Sequence, residues 1–312
     1  MRFAPGAGMS LAALDADTLT AALQAAMAAE RYRPPLLPQV ALEVMHLAGA
    51  PDVEMAAVVK LLERDPMLAA RVLASAQSAH YSRRSPVLTL RQAAVRMGME
   101  TLGQLVLQAA LELRIFKAPG FEWFAERLNR HASAVAHVTR DVCRRTHVPA
   151  DQAFTCGLLH DIGLASTLQL VAERPEWARI PFLRLAPVLD TVHAEASGLL
   201  ARRWNLPEPL PTVLASHHHP DADDEPQPIN SALIVAEQLC WEAGAGLVDP
   251  PRHASATDVD TPEQPNDGID TNSMSMVARA REILGLDDQG LAAARVQAFD
   301  VIGSLGLGPA GA

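Results

Sequence analysis

Side chains of the types that bind metal ions recur in the middle and second half of the chain: His131, the adjacent pair His160 and Asp161, His193, the run His217, His218 and His219, and Glu237. Neutral imidazoles and carboxylates are ligands for Fe, Mn or Zn, and antiparallel helices can direct them to one point in a bundle core. Adjacent residues such as His160 and Asp161 can both ligate only where a helix ends, and Gly163 lies just beyond them. The set therefore predicts a divalent metal site, although a single histidine is more often an ordinary core or surface residue.

Helical periodicity predicts how these side chains are positioned. In a predicted helix over residues 122–146, His131 shares one stripe with three valines, whereas His137 shares another with Ser133 and Arg140. We therefore expect His131 to face the core and His137 to face water. Three further helices are predicted: one ends at His160, a second carries His193 and a third carries Glu237.

Composition indicates an all-α fold. Hydrophobic residues make up 49% of the 312 residues and aromatic residues only 4%, an Ala/Leu-rich balance that favours helices and argues against an all-β sandwich. Predicted helices lie at 10–31, 40–49, 53–63, 67–79, 89–97, 102–115, 122–146, 188–204, 277–286 and 289–302, and no period-two strand pattern competes with them.

Charge is distributed unevenly along the chain. The net charge is −10, but residues 1–150 carry 17 basic and 13 acidic residues, and the second half carries 9 and 23. We do not expect the whole chain to bind nucleic acid. The basic residues of the first half (Arg83, Arg84, Arg91, Arg96, Arg144 and Arg145) are interpreted as solvated helix faces. The alternative, an anion-binding or nucleic-acid-binding surface, predicts an affinity that falls steeply with salt.

Three cysteines without paired spacing, Cys143, Cys156 and Cys240, indicate reduced thiols. Cys156 lies one turn before His160 and is interpreted as a buried small residue rather than as a nucleophile or ligand. No signal peptide and no long uninterrupted apolar segment is apparent. We expect a cytoplasmic protein without a membrane contact.

Longer motifs resemble a known family. GLLHDIG at 157–163, RHASAVA at 130–136, HAEASGLLARRWNLP from His193 and HHHP from His217 resemble the HD superfamily. Together with PPLLPQVALEVM, LLERDPMLAARVLASAQSAHY and SPVLTLRQAAVRMGMETL upstream, they resemble the HDOD domain, the HD-related output domain of bacterial signalling proteins.

The resemblance implies a domain organisation. Residues 1–33 form an N-terminal helical extension, and residues 34–240 form the HDOD domain, with an N-terminal helical subdomain at 34–120 packed on an HD-like bundle at 121–240. The polar, Pro-containing segment 249–275 is predicted to be a disordered acidic linker. Residues 276–312 are predicted to be a C-terminal helical segment.

The resemblance implies that His131, His160, Asp161, His193, His217 and His218 occupy the positions that ligate metal in the hydrolytic relatives. Two departures from those relatives bear on activity. Those relatives carry HDxGK, in which the lysine helps to hold a substrate phosphate, whereas Leu164 takes that place here. Their last ligand is aspartate, whereas Glu237 stands here. Loss of a preorganised charged donor weakens catalysis more than it weakens metal binding.

The resemblance implies an output protein that acts through unidentified signalling proteins, without hydrolysis and with no assigned catalytic residue. The alternative is a metal-dependent HD-superfamily phosphohydrolase or cyclic-dinucleotide phosphodiesterase. In that case one metal is expected on His131, His160, Asp161 and Glu237, and a second on His193, His217 and His218. A homodimer is compatible with the Ala/Leu-rich N-terminal helix.

Overall fold

The computed structural model describes residues 15–48, 54–78, 80–81, 87–114, 118–149, 152–222, 225–247 and 271–308. Within these ranges the elements in chain order are α1 (Ala16–Ala28), α2 (Gln39–Ala48), α3 (Met55–Leu62), α4 (Pro66–Ala76), α5 (Leu90–Met97), α6 (Met99–Arg114), α7 (Glu122–Thr146), α8 (Ala153–Leu159), α9 (Ile162–Ala172), α10 (Phe182–Arg203), α11 (Leu210–Ala215), β1 (Asp221–Ala222), β2 (Glu225–Pro226), α12 (Pro228–Glu242), α13 (Thr271–Ile283) and α14 (Asp288–Ser304). The all-α prediction is confirmed. The two-residue strands β1 and β2 pair antiparallel and are too short to leave a sequence pattern.

Local sequence signals set the boundaries of the short N-terminal helices. The Asp65 carboxylate accepts a hydrogen bond from the backbone of Leu68, and Pro66 occupies the first turn of α4. Thr89 and Gln92 form a reciprocal capping box at the start of α5. Gly98 ends α5 with a φ of 82°, which a glycine adopts without strain. These helices form a compact layer that packs through α2, α4 and α5 on α6.

The helix α1 packs on α10 in the second half of the chain. Its apolar stripe, formed by Leu19, Leu23 and Met27, is buried there. The apolar face of α1 is therefore covered within the chain, and the homodimer stays a prediction. Residues 10–14 of the predicted helix lie outside the described residues.

The long helix α7 is central to the second half and packs against α8, α12 and α14. The prediction that His137 faces water is wrong, because its side chain is completely buried. The polar stripe of α7 is covered by α6 and by Tyr81, and its polar atoms bond to one another. Arg140 donates to Gln104 Oε1 at 2.9 Å and its guanidinium lies 3.1 Å from His137 Nδ1.

The apolar stretch Ala153–Ala172, which covers α8 and α9, has the length and composition of a membrane-spanning helix. In this fold 89% of its most apolar window is buried inside the protein. It is the core pair of a helical bundle, in which the chain turns between α8 and α9 at His160 and Asp161.

The helices α13 and α14 pack on α12 and α7. Arg279 on α13 donates to both carboxylate oxygens of Asp221 at 2.9 Å, and Arg295 on α14 donates to Glu242 at 2.6 Å. Residues 249–270 of the predicted linker lie outside the described residues, and residues 271–275 form the first turns of α13.

Candidate metal centre

All seven predicted ligands converge in the bundle formed by α7 to α12. His131 comes from α7, His160 and Asp161 from the turn between α8 and α9, His193 from α10, His217 and His218 from the segment after α11, and Glu237 from α12. Each element contributes one or two ligands, and the antiparallel packing brings them together. Five of the seven are buried, whereas the side chains of His218 and Glu237 retain 38% and 23% exposure. The centre is therefore open to solvent on the side of these two residues.

The ligands form two groups. One contains Asp161, His193, His217 and His218, and the other contains His131, His160 and Glu237. Within each group the ligand atoms lie within 4.8 Å of one another.

The carboxylate of Asp161 lies between the two groups. Its Oδ1 is 3.4 Å from His193 Nε2 and 3.6 Å from His217 Nε2. Its Oδ2 is 3.2 Å from His160 Nε2 and 3.8 Å from the Nε2 of His131. One carboxylate thus faces both groups with different oxygens, which is the arrangement of a ligand shared by two ions.

Backbone carbonyls orient four of the imidazoles. The Nδ1–H groups of His160, His193 and His217 each donate to the carbonyl three residues earlier, at 2.9, 2.5 and 2.8 Å. That of His131 donates to the carbonyl of Ala245 at 2.9 Å. A carbonyl can only accept, so each bond places a proton on Nδ1 and leaves Nε2 aimed at the centre. This is the orientation that metal-ligating histidines take.

The distances between the inner nitrogens fit a shared cation. His193 Nε2 is 3.3 Å from His217 Nε2 and 2.8 Å from His218 Nε2. Two ligands about 2.1 Å from one ion lie roughly 3 Å apart in neighbouring positions. The Nε2 of His160 is buried and lacks a hydrogen-bond partner of normal geometry among the described residues. These nitrogens, with the carboxylates of Asp161 and Glu237, form a donor set that suits Fe, Mn or Zn.

Electrostatics keep the carboxylates ionised. Burial by itself raises the pKa of Asp161 and Glu237, but the surrounding imidazoles outweigh it. The pKa of Asp161 is held well below its ordinary value by His160, His217 and His193. The pKa of Glu237 is lowered to about 2, chiefly by its contact with His160, whose Nε2 lies 3.1 Å from Glu237 Oε1. Burial lowers the pKa of His218 to about 4. Burial by itself lowers the pKa of His160, but the two carboxylates in turn raise it well above 6.5. The centre therefore presents anionic oxygens and a neutral His218 at neutral pH, and a bound metal ion would displace the extra proton of His160.

Two other candidate positions have no place at the centre. Leu164, which stands where the hydrolytic relatives have lysine, is buried in α9. Cys156 is completely buried, and burial raises the pKa of its thiol, so it lacks the character of a nucleophile. Arg83 and Arg84 of the predicted basic clusters lie outside the described residues.

The sequence reasoning missed the residue that ties the turn between α8 and α9 to α10. Ser197 Oγ contacts backbone groups on both sides of His160 and Asp161. The available signal was its spacing of four residues from His193, which places both on one face of α10.

A family model described as the HDOD domain matches residues 35–220. A solved structure from Shewanella amazonensis SB2B, provisionally named a metal-dependent phosphohydrolase, superimposes with a TM-score of 0.65 at 19% identity over 95% of this chain and all of that one. A structure from Marinobacter aquaeolei VT8, provisionally named a signal transduction protein, gives 0.56 at 19% identity over 96% of this chain and 67% of that one. At these identities the likeness shows the fold.

A protein of Treponema pallidum (strain Nichols) whose role is uncharacterised is 29% identical in an alignment of 245 residues that covers 72% of this chain. The chain spans 45% of the length of that relative.

Proposed function

The chain belongs to the HDOD domain family, and we propose that it is a bacterial signal-transduction protein that holds a dinuclear metal centre and acts through contacts with other proteins. The observation that carries the metal centre is the convergence of four imidazole Nε2 atoms on the carboxylate of Asp161, with each ring oriented by a backbone carbonyl that accepts from its Nδ1–H. This arrangement is costly for a purely structural core, because buried carboxylates and ring nitrogens that face each other need protons or a cation between them.

The output role without hydrolysis is supported by Leu164. A neutral, buried leucine offers no charge to a developing phosphate oxyanion, and loss of one such donor costs about 3 kcal/mol of barrier. The protein from Marinobacter, which shares the fold, is named for signal transduction. We therefore propose that the signal passes to a partner protein.

A metal-dependent phosphohydrolase is the second candidate, and the position of Asp161 between the two groups favours it. Divalent ions at such a centre supply a Lewis acid for the phosphoryl oxygen and a bound water of lowered pKa. The chain itself supplies the ligands. It also leaves His218 and Glu237 open to solvent, where a substrate could approach.

Two measurements on the untagged protein test these proposals. Elemental analysis of the wild type should find Fe, Mn or Zn near two ions per chain, and an H160A/D161A double variant should lose them. A metal-free wild type that is fully folded would refute the metal centre.

Turnover by the metal-loaded wild type is then measured with bis(p-nitrophenyl) phosphate and with a cyclic dinucleotide, beside the same double variant. We expect the two proteins to give the same background rate. Turnover by the wild type alone would refute the non-hydrolytic role and establish the phosphohydrolase.

A further inference from the structure

The turn between α8 and α9 poses a geometric problem for the centre. His160 and Asp161 are adjacent, and successive residues of a continuous helix point about 100° apart. The chain solves this by leaving helical geometry at Asp161, which has φ −100° and ψ 13°. The break leaves backbone groups of the turn without their usual helical partners.

One buried hydroxyl joins the two sides of this break. Ser197 Oγ donates to the carbonyl of His160 at 2.6 Å and accepts from the backbone N–H of Gly163 at 2.9 Å. Ser197 is completely buried. Its hydroxyl has one proton to donate and lone pairs to accept, so these two bonds satisfy it in both roles.

The same serine connects the turn to a third ligand. Ser197 lies four residues after His193 on α10, so both side chains leave α10 on the same face. The approach is close, because a Cβ placed on Gly163 would lie 2.0 Å from the carbonyl oxygen of His193. The Ser197 hydroxyl therefore sets how the turn that carries His160 and Asp161 lies against the helix that carries His193.

We propose that Ser197 is a positioning residue of the metal centre, which fixes the direction of the Asp161 carboxylate relative to His160 and His193. The proposal rests on the metal centre put forward above. Within the part of the chain that the structure describes, the hydrogen bonds of Ser197 Oγ go to backbone atoms on both sides of Asp161, and Ser197 acts through them. Without it, the turn retains its hydrophobic packing but loses the two bonds that fix the orientation of Asp161.

The test uses Co²⁺ as the probe, because its visible absorption reports the ligand geometry. The full-length wild type, S197A and S197C are stripped with a chelator and titrated with Co²⁺, and their unfolding in urea is measured in the presence of the chelator. Cysteine fills the space of serine but makes weak hydrogen bonds. S231A is the matched control, since Ser231 is a completely buried serine of α12 whose Oγ has no hydrogen-bond partner among the described residues.

We expect S197A and S197C to bind Co²⁺ 10- to 100-fold more weakly than the wild type, as loss of a ligand-orienting partner does. Their absorption bands should also change in position and intensity. S231A should keep the wild-type affinity and spectrum.

Wild-type affinity and an unchanged spectrum in folded S197A or S197C would refute the role of Ser197 and leave the metal centre standing. A weakening of the same size in S231A would also refute it, because any buried serine would then matter equally. A wild type that takes up no Co²⁺ would refute the metal centre and the positioning role together.

Discussion

Replacement of Gly163 with alanine should force apart α9, which begins just after Asp161, and α10, which carries His193. The added Cβ would lie 2.0 Å from the carbonyl oxygen of His193 and 2.8 Å from the backbone nitrogen of Ser197. Ordinary contact begins at 3.4 Å, so α9 and α10 would have to part by about 1.4 Å. Both clashing atoms belong to the backbone and have no rotamer by which to escape.

The energetic cost follows from this geometry. Overpacking that side chains can partly relieve costs about 1–3 kcal/mol, and here we expect the upper end, about 3 kcal/mol. The higher helix propensity of alanine offsets about 1 kcal/mol of this destabilisation. The net loss of unfolding free energy is about 2 kcal/mol. A parting of this size also moves His193 away from Asp161, so metal affinity should fall at least 10-fold.

The assay is urea unfolding in the presence of a chelator, followed by Co²⁺ titration of the folded protein. G303A is the matched control, because Gly303 on α14 has no atom within 4 Å of an added Cβ. It should gain up to about 1 kcal/mol. Wild-type stability and metal affinity in G163A would refute the reasoning that close approach of α9 and α10 builds the centre.

Three further predictions concern other parts of the molecule. H137Q should lose less unfolding free energy than the wild type when the pH falls. Burial and Arg140 hold the pKa of His137 well below 6.5, so in the wild type only the unfolded state binds a proton at His137 as the pH falls through 6.5. Urea unfolding should show the wild type losing about 1.4 kcal/mol more than H137Q between pH 7.5 and 5.5, and equal losses would contradict this. In E237D the side chain is one methylene shorter, which moves the carboxylate away from His160, which lies 3.1 Å from it in the wild type. A Co²⁺ titration should therefore show binding about 10-fold weaker than in the wild type. Tighter binding would mean that the site is built for aspartate. D65A removes the α4 cap and should lower the unfolding free energy by about 1 kcal/mol, whereas an unchanged urea midpoint would mean that the cap contributes nothing.

The error over His137 shows where sequence reasoning fails. Periodicity correctly separates the two stripes of α7, and a polar stripe ordinarily faces water. In this fold the first half of the chain covers that stripe, and His137, Arg140 and Gln104 bond to one another there. A cover supplied by helices distant in sequence leaves no trace in the periodicity of α7 itself.

The sequence by itself determined the helical class, most helix boundaries and the types of the seven ligands, because caps, breakers and periodicity act over a few residues. The sequence motifs also indicated the HDOD family. Tertiary structure alone decided that Asp161 lies between the two groups of ligands, and that Ser197 and Gly163 hold α9 against α10. These relations depend on distances of a few ångströms between helices far apart in the chain, which only the packing of the whole bundle sets.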